Sequence, residues 1–383
     1  MKEMIFTVMP MFVCLFWFVM LALDLIEHRF HFPRPRLQLL LFMGAATLLY
    51  WGHCVFFNRN IELLPLSDTI YSGVNLAVYP LYYLYISALS TRRTERRLGW
   101  LILLPALLGF VSVGGLYLLM SPDESLQFII TYLYNGERLG LTGIPVVQAF
   151  THDICKVLFA LQIIPILVVG RHRMREYDQL LNSIYADTEG KSLQSIHYML
   201  IAFVVTSVLS FVANLIGRDY FVNSLWLLGL PSTLFSTLLF AIGYIGYRQH
   251  FSIIDIETDE QQADEEMPEQ KTIQELRIRI ERLMKDEKLY LQPNLKIVDL
   301  VKRLGSNRNY IYQAINRDMG MSFNEYVNRM RIDYAEQLIV QYPEKTLNEI
   351  ADMSGFTSST SFYRNFKLYR GVGPKEFMTN AGK

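Results

Sequence analysis

The chain has 383 residues with 36 basic and 36 acidic side chains, so its zero net charge points to no partner class until the charges are placed along the sequence. It is 51% apolar, and its long apolar runs precede residue 250 while most of its charge follows, which excludes a single mixed core. Cys14, Cys54 and Cys155 all sit in apolar runs, with no CxxC and no Cys/His pair at zinc spacing, so neither a disulfide framework nor a metal site is expected.

A bilayer-spanning helix needs about 20 mostly apolar residues. Seven segments meet that length, near 5–24, 37–57, 66–89, 98–120, 146–169, 196–216 and 224–247, with polar residues interrupting the third and fifth. The first reads as a retained helix rather than a cleaved signal peptide. No small-residue cleavage site follows it, and cleavage would leave the Arg29–Arg36 cluster outside. Alternate connections carry the basic residues: Arg29, Arg34 and Arg36, then Arg92, Arg93, Arg96 and Arg97, then Arg171, Arg173, Arg175 and Lys191. The others hold only Lys2, Arg59, Arg138 and Arg218. Basic loops stay cytoplasmic, so the N-terminus is expected outside and the C-terminal part inside.

Polar side chains within such segments need a reason. His152, Asp153 and Lys156 lie in the fifth segment, and the last two, three apart, share a helix face and could pair. Asn75 and Asn214 are isolated amides. Together these five residues are a candidate pocket for a small-molecule or membrane signal; helix-packing glue is the plainer alternative. Tyr71, Tyr79, Tyr82, Tyr83 and Tyr85 in the third segment are expected as interfacial anchors.

Residues 255–269 hold eight acidic side chains and no basic one. Such a run is expected to be a solvated, flexible spacer that buries no core and makes no DNA contact. From Ile273, the residues Leu276, Ile280 and Leu283 continue a short heptad seam. It suits either a homodimer through residues 273–283 or a helix packed on the following domain.

Beyond Leu295 the chain becomes short, sharply punctuated helices. Ile297, Leu300, Val301 and Leu304 line one face and Gly305 ends the helix. A second helix follows with Ile311 and Ile315 inward and Arg308, Asn309, Tyr312 and Gln313 outward. That is a helix-turn-helix pattern. About 50 residues on it recurs, with Ile350 and Ala351 inward, Gly355 at the turn and Phe362 and Phe366 as anchors. Its outward face shows Ser359, Thr360, Tyr363 and Arg364. Two S/T-x-x-E capping boxes, Ser322 to Glu325 and Thr346 to Glu349, start the joining helix and the next one, and Pro343 ends the former. The joining helix of about 19 residues is roughly 28 Å long, compatible with recognition helices one DNA turn of about 34 Å apart.

Residues 347–377, LNEIADMSGFTSSTSFYRNFKLYRGVGPKEF, resemble the second half of AraC-type DNA-binding domains. Ile350-Ala351, Gly355-Phe356, Phe362, Arg364, Phe366-Lys367, Gly371, Pro374 and Phe377 carry the match. The first half departs from the pattern at Val301, where a small residue is usual, and at Ser306, where the second unit has Phe356. The resemblance spans about 275–383 and implies a seven-helix domain that binds double-stranded DNA through both units. The matching positions expected at DNA are Arg308, Asn309, Tyr312 and Gln313, then Ser359, Thr360, Tyr363, Arg364 and Lys367. Residues 290–383 hold 13 basic and 9 acidic side chains, a balance that suits a phosphate backbone.

The expected architecture is all-α: a polytopic transmembrane helix bundle at 1–250, an acidic linker at 251–271 and, at 272–383, a domain with two helix-turn-helix units. The whole is similar to membrane-bound AraC-type regulators of bacteria, which implies the inner membrane, a cytoplasmic C-terminal domain, a lipid bilayer and DNA as partners, and a one-component sensor. The alternative is an integral-membrane enzyme or transporter with a DNA-binding tail. No HExxH, GxSxG or phosphate-binding glycine loop favours it, and neither catalysis nor a cofactor is expected.

Overall fold

The computed structural model describes residues 2–28, 32–92, 99–216, 225–264, 273–306 and 308–381, and among them every named element is helical. Arg29, Arg93, Arg96, Arg97, Arg218, the side chain of Asn214 and acidic residues 265–269 lie outside this description. Two compact units result: residues 1–174 with 193–250, and residues 175–192 with 251–383. The excursion at 175–192 is not expected from a single division near residue 250.

The first unit contains α1 (Lys2–Glu27), α2 (Arg34–Phe57), α3 (Leu64–Ser90), α4 (Leu104–Leu119), α5 (Pro122–Phe128), most of α6 (Ile144–Ile184), α7 (Gln194–Ile216) and α8 (Leu225–Arg248). A proline in the first turn opens α2, α3 and α4. The missing N–H costs nothing there and the ring presets φ. Ser121 and Glu124 form a reciprocal capping box at α5.

All seven expected segments are helices, and α6 continues well past the expected end at 169. Five stretches are long and apolar enough to cross a membrane by length and composition: Val8–Glu27, Arg34–Phe57, Gly99–Leu119, Ile144–Ile184 and Gly229–Asp259. The third expected segment is not among them, and of the sixth only Gln194–Thr206 counts, as a shorter apolar helix. α3 is instead the buried centre of this unit. Its Tyr79, Tyr82 and Tyr85 are at most 2% exposed, against the expectation of interfacial anchors. Tyr79 stacks on Phe203 and Tyr82 packs on Phe42, so their rings fill the helix interface.

The second unit adds α9 (Ile253–Asp264), α10 (Ile273–Asp286), α11 (Ile297–Leu304), α12 (Arg308–Gln313), α13 (Phe323–Gln341), α14 (Leu347–Met353), α15 (Ser359–Arg370) and α16 (Pro374–Ala381). The helix α9 corrects the flexible-spacer expectation over its first half. Ser252 N–H and Oγ both donate to Asp255 at its start, and Ile253 and Ile256, three apart on one face, are buried. Counting charge overlooked those isoleucines. On α10, Leu276, Ile280 and Leu283 are buried by the chain's own packing, α10 lying against α11 and α12, as the packed-helix alternative expects.

Candidate nucleic-acid interface

Each half of the C-terminal domain is built by a few anchoring residues. In the first, Ile297, Val298, Leu300, Val301 and Leu304 bury one face of α11, and Asp299 accepts the Lys296 N–H at its start. Gly305 closes the helix in the left-handed region at φ 55°. Ile311 then anchors α12, which runs into a π-helical turn, Ala314–Asp318. In the second half, Thr346 and Glu349 cap α14 reciprocally, Ser358 caps α15 by accepting the Ser361 N–H at 3.1 Å, and Gly371 ends α15 at φ 77°. Phe356, Phe362 and Phe366 pack with Ile332, Ala335, Leu338, Ile350 and Ala351.

The joining helix α13 holds both halves. Ser322 accepts the Glu325 N–H at its start; of the expected capping box, this is the half that is present. Arg331 is fully buried in it and donates to the carbonyls of Tyr290 (2.7 Å) and Gln292 (2.8 Å), with its guanidinium 5.6 Å from the Phe356 ring centroid. Burial lowers its pKa to about 10. Arg370 at the end of α15 reaches back to Asp333 (2.6 Å) and Glu336 (2.7 Å) of α13. Gly355 sits at φ 84° where a Cβ would lie 2.6 Å from the Leu291 carbonyl oxygen, so this close approach requires glycine.

Residues 300–380 match the family described as "Helix-turn-helix domain". This stretch is a helix-turn-helix domain. It is 30% identical over 84 residues to the Msm operon regulatory protein of Streptococcus mutans, covering 22% of this chain and 30% of that protein. It is also 30% identical over 88 residues to the "Probable transcriptional regulator LumQ" of Photobacterium leiognathi, covering 23% and 35%. An HTH-type transcriptional regulator of Staphylococcus aureus is 28% identical over 89 residues, 12% of its own length. The chain thus spans about a third or less of these relatives. No solved structure matches it.

Within the helix-turn-helix domain the expected contact residues lie on two solvent faces. Asn309 and Tyr312 are exposed on α12, with Arg308 and Gln313 half-buried beside them. Ser359, Thr360, Tyr363, Arg364 and Lys367 are exposed on α15. The Ser359 hydroxyl donates to Asn348 of α14 at 2.8 Å, so it is already engaged inside the domain.

The first unit holds a second polar site around the expected His152, Asp153 and Lys156. His152 Nε2 lies 2.8 Å from Asp68 Oδ2 and its Nδ1 lies 2.9 Å from the Gln148 carbonyl oxygen. Both ring nitrogens of His152 are thus engaged by acceptors of the protein. Tyr117 donates to the same Asp68 oxygen at 2.8 Å. At the next residue, Asp153 accepts from Tyr132 at 2.6 Å and from Arg138, with Lys156 3.5 Å off and donating to the Tyr132 hydroxyl at 3.0 Å. The expected Asp153–Lys156 pairing is thus a corner of a larger network. Asn75 is half-buried on α3 seven residues beyond Asp68. Sequence reading missed Asp68, Tyr117, Tyr132, Arg138 and Gln148; of these only Asp68, an acid in an apolar run, carried a signal.

Proposed function

We propose that the chain is a membrane-anchored, sequence-specific DNA-binding transcription regulator of the AraC type, a one-component sensor in a bacterial inner membrane with its C-terminal domain in the cytoplasm. The observation that carries this reading is the pair of outward polar helix faces, on α12 and α15, mounted on one buried scaffold through α13. Arg364 has the chemistry to grip guanine through two bonds, and Gln313 to do the same for adenine; Lys367 suits a phosphate. Anchoring is supported by the five apolar stretches and by what they leave uncovered. On α6, Ile154, Val157, Leu161, Ile164 and Val168 are each 56% exposed or more, a stripe that suits lipid better than water. The signal is assigned to the polar site joining the buried Asp68–His152 pair to the more exposed Tyr132–Asp153–Lys156 network; the buried pair is costly unless it is used.

The full chain in lipid nanodiscs, challenged with a randomised duplex library at fixed salt, should enrich a two-part motif. Gln313→Ala and Arg364→Ala should each relax the preference at a different position. An absence of enrichment, or unchanged preferences in both variants, would reject the reading.

A further inference from the structure

The connection between α6 and α7 is built into the C-terminal domain rather than left as a loop. Tyr185 and Lys296 form an antiparallel bridge, beside which Ala186 N–H donates to the Leu295 carbonyl at 3.0 Å. The Ala186 carbonyl in turn accepts from two side-chain amides of α13, Asn324 at 2.6 Å and Asn328 at 2.8 Å. Asn328 is 2% exposed, so withdrawing the connection would leave a buried amide without that partner. Tyr185 donates to Asp259 of α9, which also takes both bonds from Lys296 Nζ, at 2.8 and 3.1 Å. Desolvation and that Asp259 contact push the Tyr185 hydroxyl pKa upward, so it stays a donor. Four residues on, Glu189 accepts from the hydroxyl of Ser358, the N-cap of α15. One short segment therefore touches the first helix-turn-helix unit, the joining helix and the start of the second reading helix.

The start of α15 is also where its free N–H groups and dipole would hold a DNA phosphate. A carboxylate there supplies the same acceptor oxygens and repels an incoming phosphate. We propose that residues 185–192 are an internal inhibitor of the domain, Glu189 standing in for a DNA phosphate at α15 and weakening binding without abolishing it, and that release of this segment is how a signal carried by α6 strengthens binding. This rests on the reading of the domain as DNA-binding. The tyrosine–aspartate–lysine cluster and the two asparagines hold the segment in place; Glu189 does the blocking.

The test uses the full chain in nanodiscs and a fluorescent duplex of mixed sequence at low salt. Glu189→Gln should bind roughly tenfold more tightly, the size of one charge-assisted hydrogen bond. Glu344→Gln, an exposed acid elsewhere on the domain, should gain much less. In a second variant, Glu189→Cys with Ser358→Cys, and Cys14, Cys54 and Cys155 replaced by Ala, oxidation should close a crosslink and suppress binding, and reduction should restore it. Equal gains from Glu189→Gln and Glu344→Gln, no crosslink on oxidation, or a crosslinked chain that binds as well as the reduced one would each overturn the inference. If neither wild type nor the reduced variant bound the duplex, the DNA-binding reading itself would fail, and the inference with it.

Discussion

Gly355→Ala should break the seat of the second helix-turn-helix unit. At φ 84° an alanine stands in a region that costs an L-residue roughly 1–2 kcal/mol. Its methyl would also meet backbone, not a movable side chain: Leu291 O at 2.6 Å, Cα at 2.8 Å and C at 2.9 Å. Overpacking of that kind costs a further 1–3 kcal/mol or so, giving about 2–5 kcal/mol in all. Gly371 is the internal control, with a similar φ of 77° and nothing within 4 Å of an added Cβ, so Gly371→Ala should show only the roughly 1–2 kcal/mol conformational cost. Amide hydrogen exchange on the full chain reads the difference locally. Protection in α14 and α15 should fall about 30-fold or more in Gly355→Ala, and clearly less in Gly371→Ala. Equal losses in the two variants would show that the approach of Leu291 to Gly355 contributes nothing, and that the account of how the units are joined is wrong.

Other substitutions test separate parts of the domain. Gln313→Ala and Arg364→Ala should each cost about 1–3 kcal/mol on the preferred duplex and relax one position, whereas Lys367→Ala should weaken all sequences alike; competition binding at fixed salt separates the two patterns. Arg331→Ala should destabilise the domain more than Arg331→Met, because both remove the buried charge and strip the Tyr290 and Gln292 carbonyls of a donor, but only Met refills the space; denaturant midpoints give the order. The Thr346 N–H and hydroxyl hold the Glu349 carboxyl below its usual range. A depressed acid contributes stability above its unfolded pKa and loses it as pH falls through the folded value. Acid should therefore loosen the start of α14 in hydrogen exchange, and Glu349→Ala should remove that part of the pH dependence.

The helix-turn-helix domain was legible because its determinants are local. Gly305 and Gly371 end helices in the left-handed region, Thr346 and Glu349 pair three residues apart, and Phe362 and Phe366 share one face. The polar site around His152 was legible only from one side. His152 and Asp153 stood out on α6, but their partners Asp68, Tyr117 and Tyr132 come from other helices, and no spacing in the chain announces them. Least visible was the docking of 185–192. Its principal bonds use the backbone of Ala186, which any residue type supplies, and the asparagines that meet it read in sequence as ordinary polar positions of α13. The acidic stretch misled for the opposite reason. Its charge is conspicuous, while the isoleucines that fix α9 lie at its edge.

On the proposed reading, one chain both spans a membrane and reads DNA. Inside-out membrane vesicles carrying the full chain, washed with alkaline carbonate and probed with the randomised duplex library, test it directly. The chain should stay with the vesicles and enrich a two-part motif from their outer face. A chain that washes off would not be an integral membrane protein, and retained vesicles that show no sequence preference would not carry a sequence-specific regulator.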